Sequence, residues 1–399
     1  MSFIRVGHAL FLVLGTAIGG GILALPLVVA ENGFLPAAIA MLVCFLFMGI
    51  TADFHIQANL WGPRGTHLIG TSRALLGSAG ARLVWFLYCF IGYASPIAYL
   101  AGVSQVLGPL LPEILQMPLW LLELVVLVVL GSILASGAHV LAKCNSLFVI
   151  LMLLILGAVL VAGFSQATLH PFAYSSLSGL GYALPLFLAS FSFQMIVPSL
   201  RSYLGNDPRP LRVACWGGLA LAAALYIAWL GMMFSLIPVD GPHGLKEAAA
   251  LAQPITTTLT HWIQAPWLNG LITFFSLFAL TTSFLGISLG LYEFLLDGLR
   301  TLHTHWSATR RKLFILGAVL VPVILGCWSF EDVFLKALDL TGGLGDSTLN
   351  GLIPIAMVFV GFRRVLEPQV LRRPIMRGVV CALFASAVIL IEFQRIFFS

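Results

Sequence analysis

The chain has 399 residues, 60% of them apolar and 9% charged, and its mean hydropathy is +1.04. A soluble domain is roughly 25% charged, so these residues cannot supply a water-facing surface. The formal charge of +5 is scattered over short gaps between apolar runs, with no basic stripe of the kind that binds nucleic acid.

A helix that crosses a bilayer needs about 20 apolar residues, and eleven stretches meet that need, which predicts an all-α polytopic membrane protein. Span 1, residues 6–31, is expected to be retained as a helix, because it has no small-residue cleavage site. It carries GTAIGGGILALP at 15–26, with glycines at bilayer depth and Pro26 expected as a stop. Span 2, 34–60, holds Asp53, His55 and QANL at 57–60 towards its end. The gap 61–81, with Pro63 and several glycines, is expected to pack beneath the bundle. Span 3, 82–110, carries Tyr93 and Tyr99; spans 4 and 5, 118–137 and 144–164, are almost uniformly apolar. Span 6, 178–200, contains SFSFQMIVP at 190–198, polar and proline-broken in mid-membrane, and span 7 runs over 211–237. The gap 238–266 predicts a short helix lying over one mouth of the bundle. Span 8, 267–298, carries Thr281, Thr282, Ser283 and Phe284, then Glu293 and Asp297 at i,i+4, expected to pair with Arg300 and the cluster Arg310 to Lys312. Span 9 is 311–328, span 10 is 339–361 with TGGLGD at 341–346, and span 11 is 376–396.

With these boundaries 17 of the 20 Lys and Arg residues fall in gaps on one side, and only Lys246, Lys336 and Arg395 on the other. The positive-inside rule then places the N-terminus in the cytoplasm and the C-terminus outside. The six cysteines stand singly and show no metal-ligand spacing, so no disulfide, metal site or cofactor is expected.

Spans 1 and 6 share a property that spends helix propensity in mid-membrane, at about 1 kcal/mol per glycine relative to alanine. Each opens a five-span half, about 6–164 and 178–361, and the alternation of sides makes the two run in opposite directions. Irregular backbone at that depth survives only where it lines a cavity, and a pair of broken helices in inverted halves marks a carrier's central site. The whole of 1–396 is read as one transporter domain, with span 11 as an extra helix.

The segments at 15–26, 190–200, 283–290 (SFLGISLG) and 341–345 (TGGLG) together resemble the hydroxy/aromatic amino acid permease family of the amino acid/polyamine/organocation superfamily. That resemblance implies a leucine-transporter-type 5+5 inverted repeat with broken helices 1 and 6. It also implies proton-coupled import of an amino acid, tyrosine first among the candidates, with sodium the rival ion. Thr16, Ala17, Gly19, Gly20 and Gly21 would hold the carboxylate on free N–H groups, with close packing by small residues as the plainer alternative. Ser190, Phe191, Ser192, Phe193 and Gln194 would form the other wall, Gln194 meeting a phenol or else supporting a kink. Tyr93 and Phe284 would complete the pocket. The ion-coupling candidates are Thr281, Thr282 and Ser283, together with Asp53 and Asp346, since a carboxylate inside a membrane is costly. For Asp346 the alternative is a water-exposed place near the outer mouth. Relatives usually carry a glutamate where this chain has Gln57, which would move coupling to another carboxylate such as Asp53. A permease for serine, threonine or another small neutral amino acid is the rival transporter; a channel would not need two broken helices. A membrane-embedded enzyme would need convergent His, Asp, Glu or Cys, and the nine histidines lie mostly at span ends and in gaps.

Overall fold

The computed structural model describes residues 3–63, 65–112, 116–168, 170, 174–251, 255–263, 266–300, 305–329, 337, 339–365 and 372–398. Arg64 and Lys336, both used in the charge count, lie outside them.

Among the described residues the regular elements are helices. Span 1 is two half-helices, α1 (Phe3–Ala17) and α2 (Gly21–Val28), bent by 45°. Pro26 does not stop the helix as expected. It sits inside α2, which runs two residues further and ends at Val28, since the ring removes one N–H without ending the helix at once. Span 2 is α3 (Phe34–Trp61). Span 3 is longer than predicted, because α4 (Leu68–Leu107) begins fourteen residues early. The gap 61–81 is therefore largely helical, and α4 changes direction at Gly77, which takes φ 75° and ψ −166°. Next come α5 (Leu119–Ala135) and α6 (Ala138–Ser165). Span 6 is again split, into α7 (Leu184–Ser190) and α8 (Val197–Leu204), joined by irregular residues and one 3₁₀ turn, Gln194–Ile196. α9 is Pro208–Leu236, opened by Asp207 accepting a hydrogen bond from Arg209 N at 3.0 Å. The gap 238–266 holds two short helices instead of one, α10 (Leu245–Ala250) and α11 (Ile255–Trp262), both packed on α2. α12 (Pro266–Gly298) and α13 (Ala308–Ser329) follow. Span 10 opens as a π-helical segment, Thr341–Leu352, and continues as α14 (Ile353–Val365); α15 is Arg372–Phe398.

Among the described residues nine helical stretches are long and apolar enough to cross a membrane, and the bent pair α1–α2 makes ten. α5, the helix of span 4, has 17 residues and reaches only about 26 Å. The chain is a multi-pass membrane protein. Its outward faces are apolar, as lipid requires: Leu154 and Val161 on α6 are 67% and 73% exposed, and Leu383 and Leu390 on α15 are 67% and 69%.

The interior is arranged around the two breaks. α1 packs on α6, α9 and α12, while α7 packs on α2, α3 and the π segment. The π segment reaches α7 because it opens on glycine: a Cβ on Gly342 would lie 2.7 Å from the carbonyl carbon of Pro185 and 3.0 Å from Ala189 N.

Candidate functional site

A helix that ends in mid-membrane strands its last four carbonyls, and each needs a donor. At the end of α1, Leu14 O accepts from Ile18 N–H at 2.8 Å. Gly15 O and Thr16 O both accept from the Ser283 hydroxyl of α12, at 3.1 and 3.0 Å. Ala17 O accepts from Gly19 N–H at 2.9 Å and from the Tyr226 hydroxyl at 2.8 Å. At the end of α7, Phe187 O and Leu188 O share Phe191 N–H at 3.2 and 3.1 Å, and Ala189 O takes Ser192 N–H at 3.1 Å. Ser190 O takes the same Tyr226 hydroxyl, at 2.7 Å. The two broken helices thus end face to face on one phenol.

The second half of span 1 starts beside this junction. Of its first-turn N–H groups, those of Ile22 and Leu23 donate to Gly19 O at 3.3 Å and Gly20 O at 3.1 Å, and the Gly20 cap offers no side chain to any of them. A Cβ on Gly21 would stand 3.2 Å from Ser190 Cα, and one on Gly19 would stand 2.5 Å from Ser283 Oγ. Glycine here permits close packing of α1 and α2 on Ser283 and Ser190.

The predicted site residues divide into those at the junction and those elsewhere. Thr16, Ala17, Ser190, Phe191 and Ser192 are buried there, and Phe191 meets the Tyr226 ring edge-on at 5.3 Å; Phe193 and Phe284 are buried as well. The Thr16 and Ser190 hydroxyls turn back to their own helices, on Leu12 O at 2.7 Å and Leu186 O at 2.8 Å. Gln194 faces α3: its amide donates to Met48 O at 3.2 Å, and its Oε1 accepts Phe193 N–H at 3.2 Å. That occupies both ends of the amide in holding the irregular turn. Tyr93 is not at the junction, because its hydroxyl donates to Ala318 O of α13 at 2.9 Å. The tyrosine that α4 brings there is Tyr99, whose ring lies 3.3 Å from where a Gly19 Cβ would stand.

The ion-coupling candidates also separate. Thr282 back-bonds within α12, to Phe278 O at 2.9 Å and Ala279 O at 3.1 Å, Thr281 is half-buried, and only Ser283 reaches across to α1. Asp53 is a half-exposed partner of Arg212 at 3.1 Å, away from the breaks. Asp346 is not water-exposed. It is 1% exposed, accepts from the Ser192 hydroxyl at 2.6 Å and from the Asn350 amide, and so ties the π segment to the break in span 6. The spacing of Asp346 and Asn350 was legible, but a π-helical turn and the reach to Ser192 were not.

Glu293 and Asp297 differ from expectation too. Glu293 accepts from the Ser199 hydroxyl and Asp297 from His67 N–H at 2.8 Å, with neither in an ion pair among the described residues. They line a polar cavity of about 400 Å³ with His67, Arg300 and Arg311, at the end of α12 remote from Ser283. Arg201 is buried next to it in sequence and donates to Asn59 O and to Asn206 Oδ1, the latter at 2.8 Å.

Tyr226 is the residue that the sequence reading missed. Its signal was a lone phenol in the middle of an otherwise apolar span, where a hydroxyl must find a partner.

Comparison with known proteins bears on these features together. The model of the tryptophan/tyrosine permease family matches residues 5–392. The chain is 28% identical over 373 residues to a tryptophan-specific transport protein of Pseudomonas aeruginosa, covering 90% of this chain and 86% of the relative. It is 27% identical over 345 residues to tyrosine-specific transport system 1 of Haemophilus influenzae, covering 84% and 83%. It is 26% identical over 327 residues to the low affinity tryptophan permease of Escherichia coli, covering 78% and 77%. With a match that runs through both broken helices and nearly the whole chain, this protein belongs to the tryptophan/tyrosine permease family, a family of transport proteins and not of enzymes.

Proposed function

We propose that this chain is a secondary carrier that imports an aromatic amino acid, tryptophan or tyrosine, across a bacterial inner membrane by symport with protons. The observation that carries this reading is the meeting of two helix ends and one glycine-opened helix start in a buried junction that Phe191 and Tyr99 adjoin. Helix ends supply partial negative charge and a helix start partial positive charge, which complements an ammonium beside a carboxylate. The aromatic rings suit a flat apolar side chain. Relatives named for tryptophan and for tyrosine support the substrate class. The engaged amide of Gln194 removes the one group argued to favour tyrosine.

For the coupled ion we infer a proton carried by Asp346, because its carboxylate holds Ser192 inside the break, and protonation would weaken that tie. The 5+5 inverted repeat, a cytoplasmic N-terminus and a periplasmic C-terminus complete the proposal, supported by the paired breaks and the one-sided distribution of Lys and Arg.

The test is uptake of radiolabelled tryptophan, tyrosine and phenylalanine into proteoliposomes, with and without an imposed pH gradient and with sodium present or absent. Uptake that rises with external acidity and competes only among aromatic amino acids is expected. Preference for serine or threonine would overturn the substrate class, and a strict sodium requirement without pH response would overturn the ion.

A further inference from the structure

Two helix ends converge on one side-chain donor at the junction. Ala17 O and Ser190 O are the terminal carbonyls of two helices, each carrying the partial negative charge of a helix end, and both point at one atom, Tyr226 Oη. A phenol has a single proton, so it serves one of these acceptors at a time, and the only other donor at hand among the described residues is Gly19 N–H, 2.9 Å from Ala17 O. A primary ammonium has three protons and a full positive charge, and can satisfy both.

Tyr226 is fully buried on α9, and its ring is held against Phe191, whose own ring lies 6.3 Å from Phe45 of α3. The hydroxyl cannot leave the two carbonyls without moving the ring that touches Phe191, the first aromatic residue of the broken segment. The amino group of a ligand and the aromatic wall are therefore linked through one side chain.

We propose that Tyr226 is an internal stand-in for the substrate's ammonium: it bridges the two broken helices in the unloaded carrier and yields both carbonyls to the amino acid when one binds. This rests on the amino acid site proposed above. It gives Tyr226 a role in the return half of the transport cycle, in which the junction must close with no ammonium in it. Ser190 O left without a donor, beside an Ala17 O held by Gly19 N–H alone, would resist that closure. Tyr226 is a positioning residue in this scheme, and its removal affects the empty and loaded carriers in opposite senses.

The experiment compares wild type with Tyr226→Phe for ligand binding in detergent, and for net uptake and exchange in proteoliposomes. Ligands are tryptophan, tyrosine, phenylalanine, leucine and threonine, each beside the acid that lacks the amino group. Losing the phenol removes a competitor for the carbonyls, so affinity for the amino acid should rise about threefold to tenfold while that for the deamino acid stays unchanged. Net uptake should slow relative to exchange, since exchange never requires the empty return. A fall in amino acid affinity, an equal change for both ligand classes, or a parallel loss of uptake and exchange would make Tyr226 a static brace and overturn the proposal. If wild type prefers leucine or threonine, the aromatic reading fails while the same comparison still judges Tyr226; if it binds no amino acid, both fail. Should the variant not fold, wild type labelled with fluorotyrosine decides: the Tyr226 resonance must shift with the amino acid and not with the deamino acid, and a resonance indifferent to both overturns the proposal.

Discussion

Replacing Ser283 by alanine removes the one hydroxyl that serves two stranded carbonyls of α1, Gly15 O at 3.1 Å and Thr16 O at 3.0 Å. Both carbonyls lost their helical partners because Gly19 N–H turned to Ala17 O, and the helix restarts only at Gly21. A buried acceptor left unpaired costs about 1–3 kcal/mol, and hydrogen bonds measured inside membrane proteins lie towards the lower part of that range, so about 1–2 kcal/mol is expected. The neighbouring Thr282 supplies the control. Its hydroxyl bonds to Phe278 O and Ala279 O, carbonyls inside an unbroken stretch of α12, so Thr282→Val leaves no acceptor stranded and should cost less than about 0.5 kcal/mol. The assay is thermal unfolding of the purified carrier in one detergent, with aromatic amino acid uptake measured on the same preparations. Ser283→Ala should lower both melting temperature and uptake, with Thr282→Val close to wild type. Equal effects, or a larger effect at Thr282, would refute the account of how the break in span 1 is held.

Three further outcomes are expected. Asp346→Asn keeps acceptor and donor atoms beside Ser192 and Asn350 but cannot cycle a proton, so exchange should persist while pH-driven accumulation is lost; retained accumulation would move coupling elsewhere. Gln194→Leu leaves Met48 O and Phe193 N–H without the amide, so uptake of tryptophan, tyrosine and phenylalanine should fall alike; a selective loss of tyrosine in competition assays would restore Gln194 as a reader of the phenol. Tyr99→Phe should weaken substrate binding while Tyr93→Phe leaves it within about twofold, because Tyr93 bonds to α13 and not to the junction; the reverse order in a binding assay would put the pocket on the other face of α4.

How much of this was legible in the sequence depends on the range of the cause. Lipid imposes a one-dimensional rule, about 20 apolar residues per crossing with basic residues held to one side, so the spans and the two breaks could be read along the chain. Glycine and proline at 15–26 and 190–198 mark broken backbone by themselves, because their effect on a helix is local. Partners of that broken backbone are not local. Ser283 lies 267 residues from Thr16, Asp346 lies 154 residues from Ser192, and Tyr226 meets Ala17 across 209 residues. Which of two tyrosines on α4 faces the junction depends on how that helix is rotated, and its apolar pattern sets no preferred face when protein and lipid are equally apolar neighbours. The sequence by itself determined that two helices must break in mid-membrane and that something must answer their stranded groups. Only the tertiary structure decided that Ser283, Tyr226 and the carboxylate of Asp346 do so, because hydrogen-bond donors are matched to acceptors by distance in space and not by order along the chain.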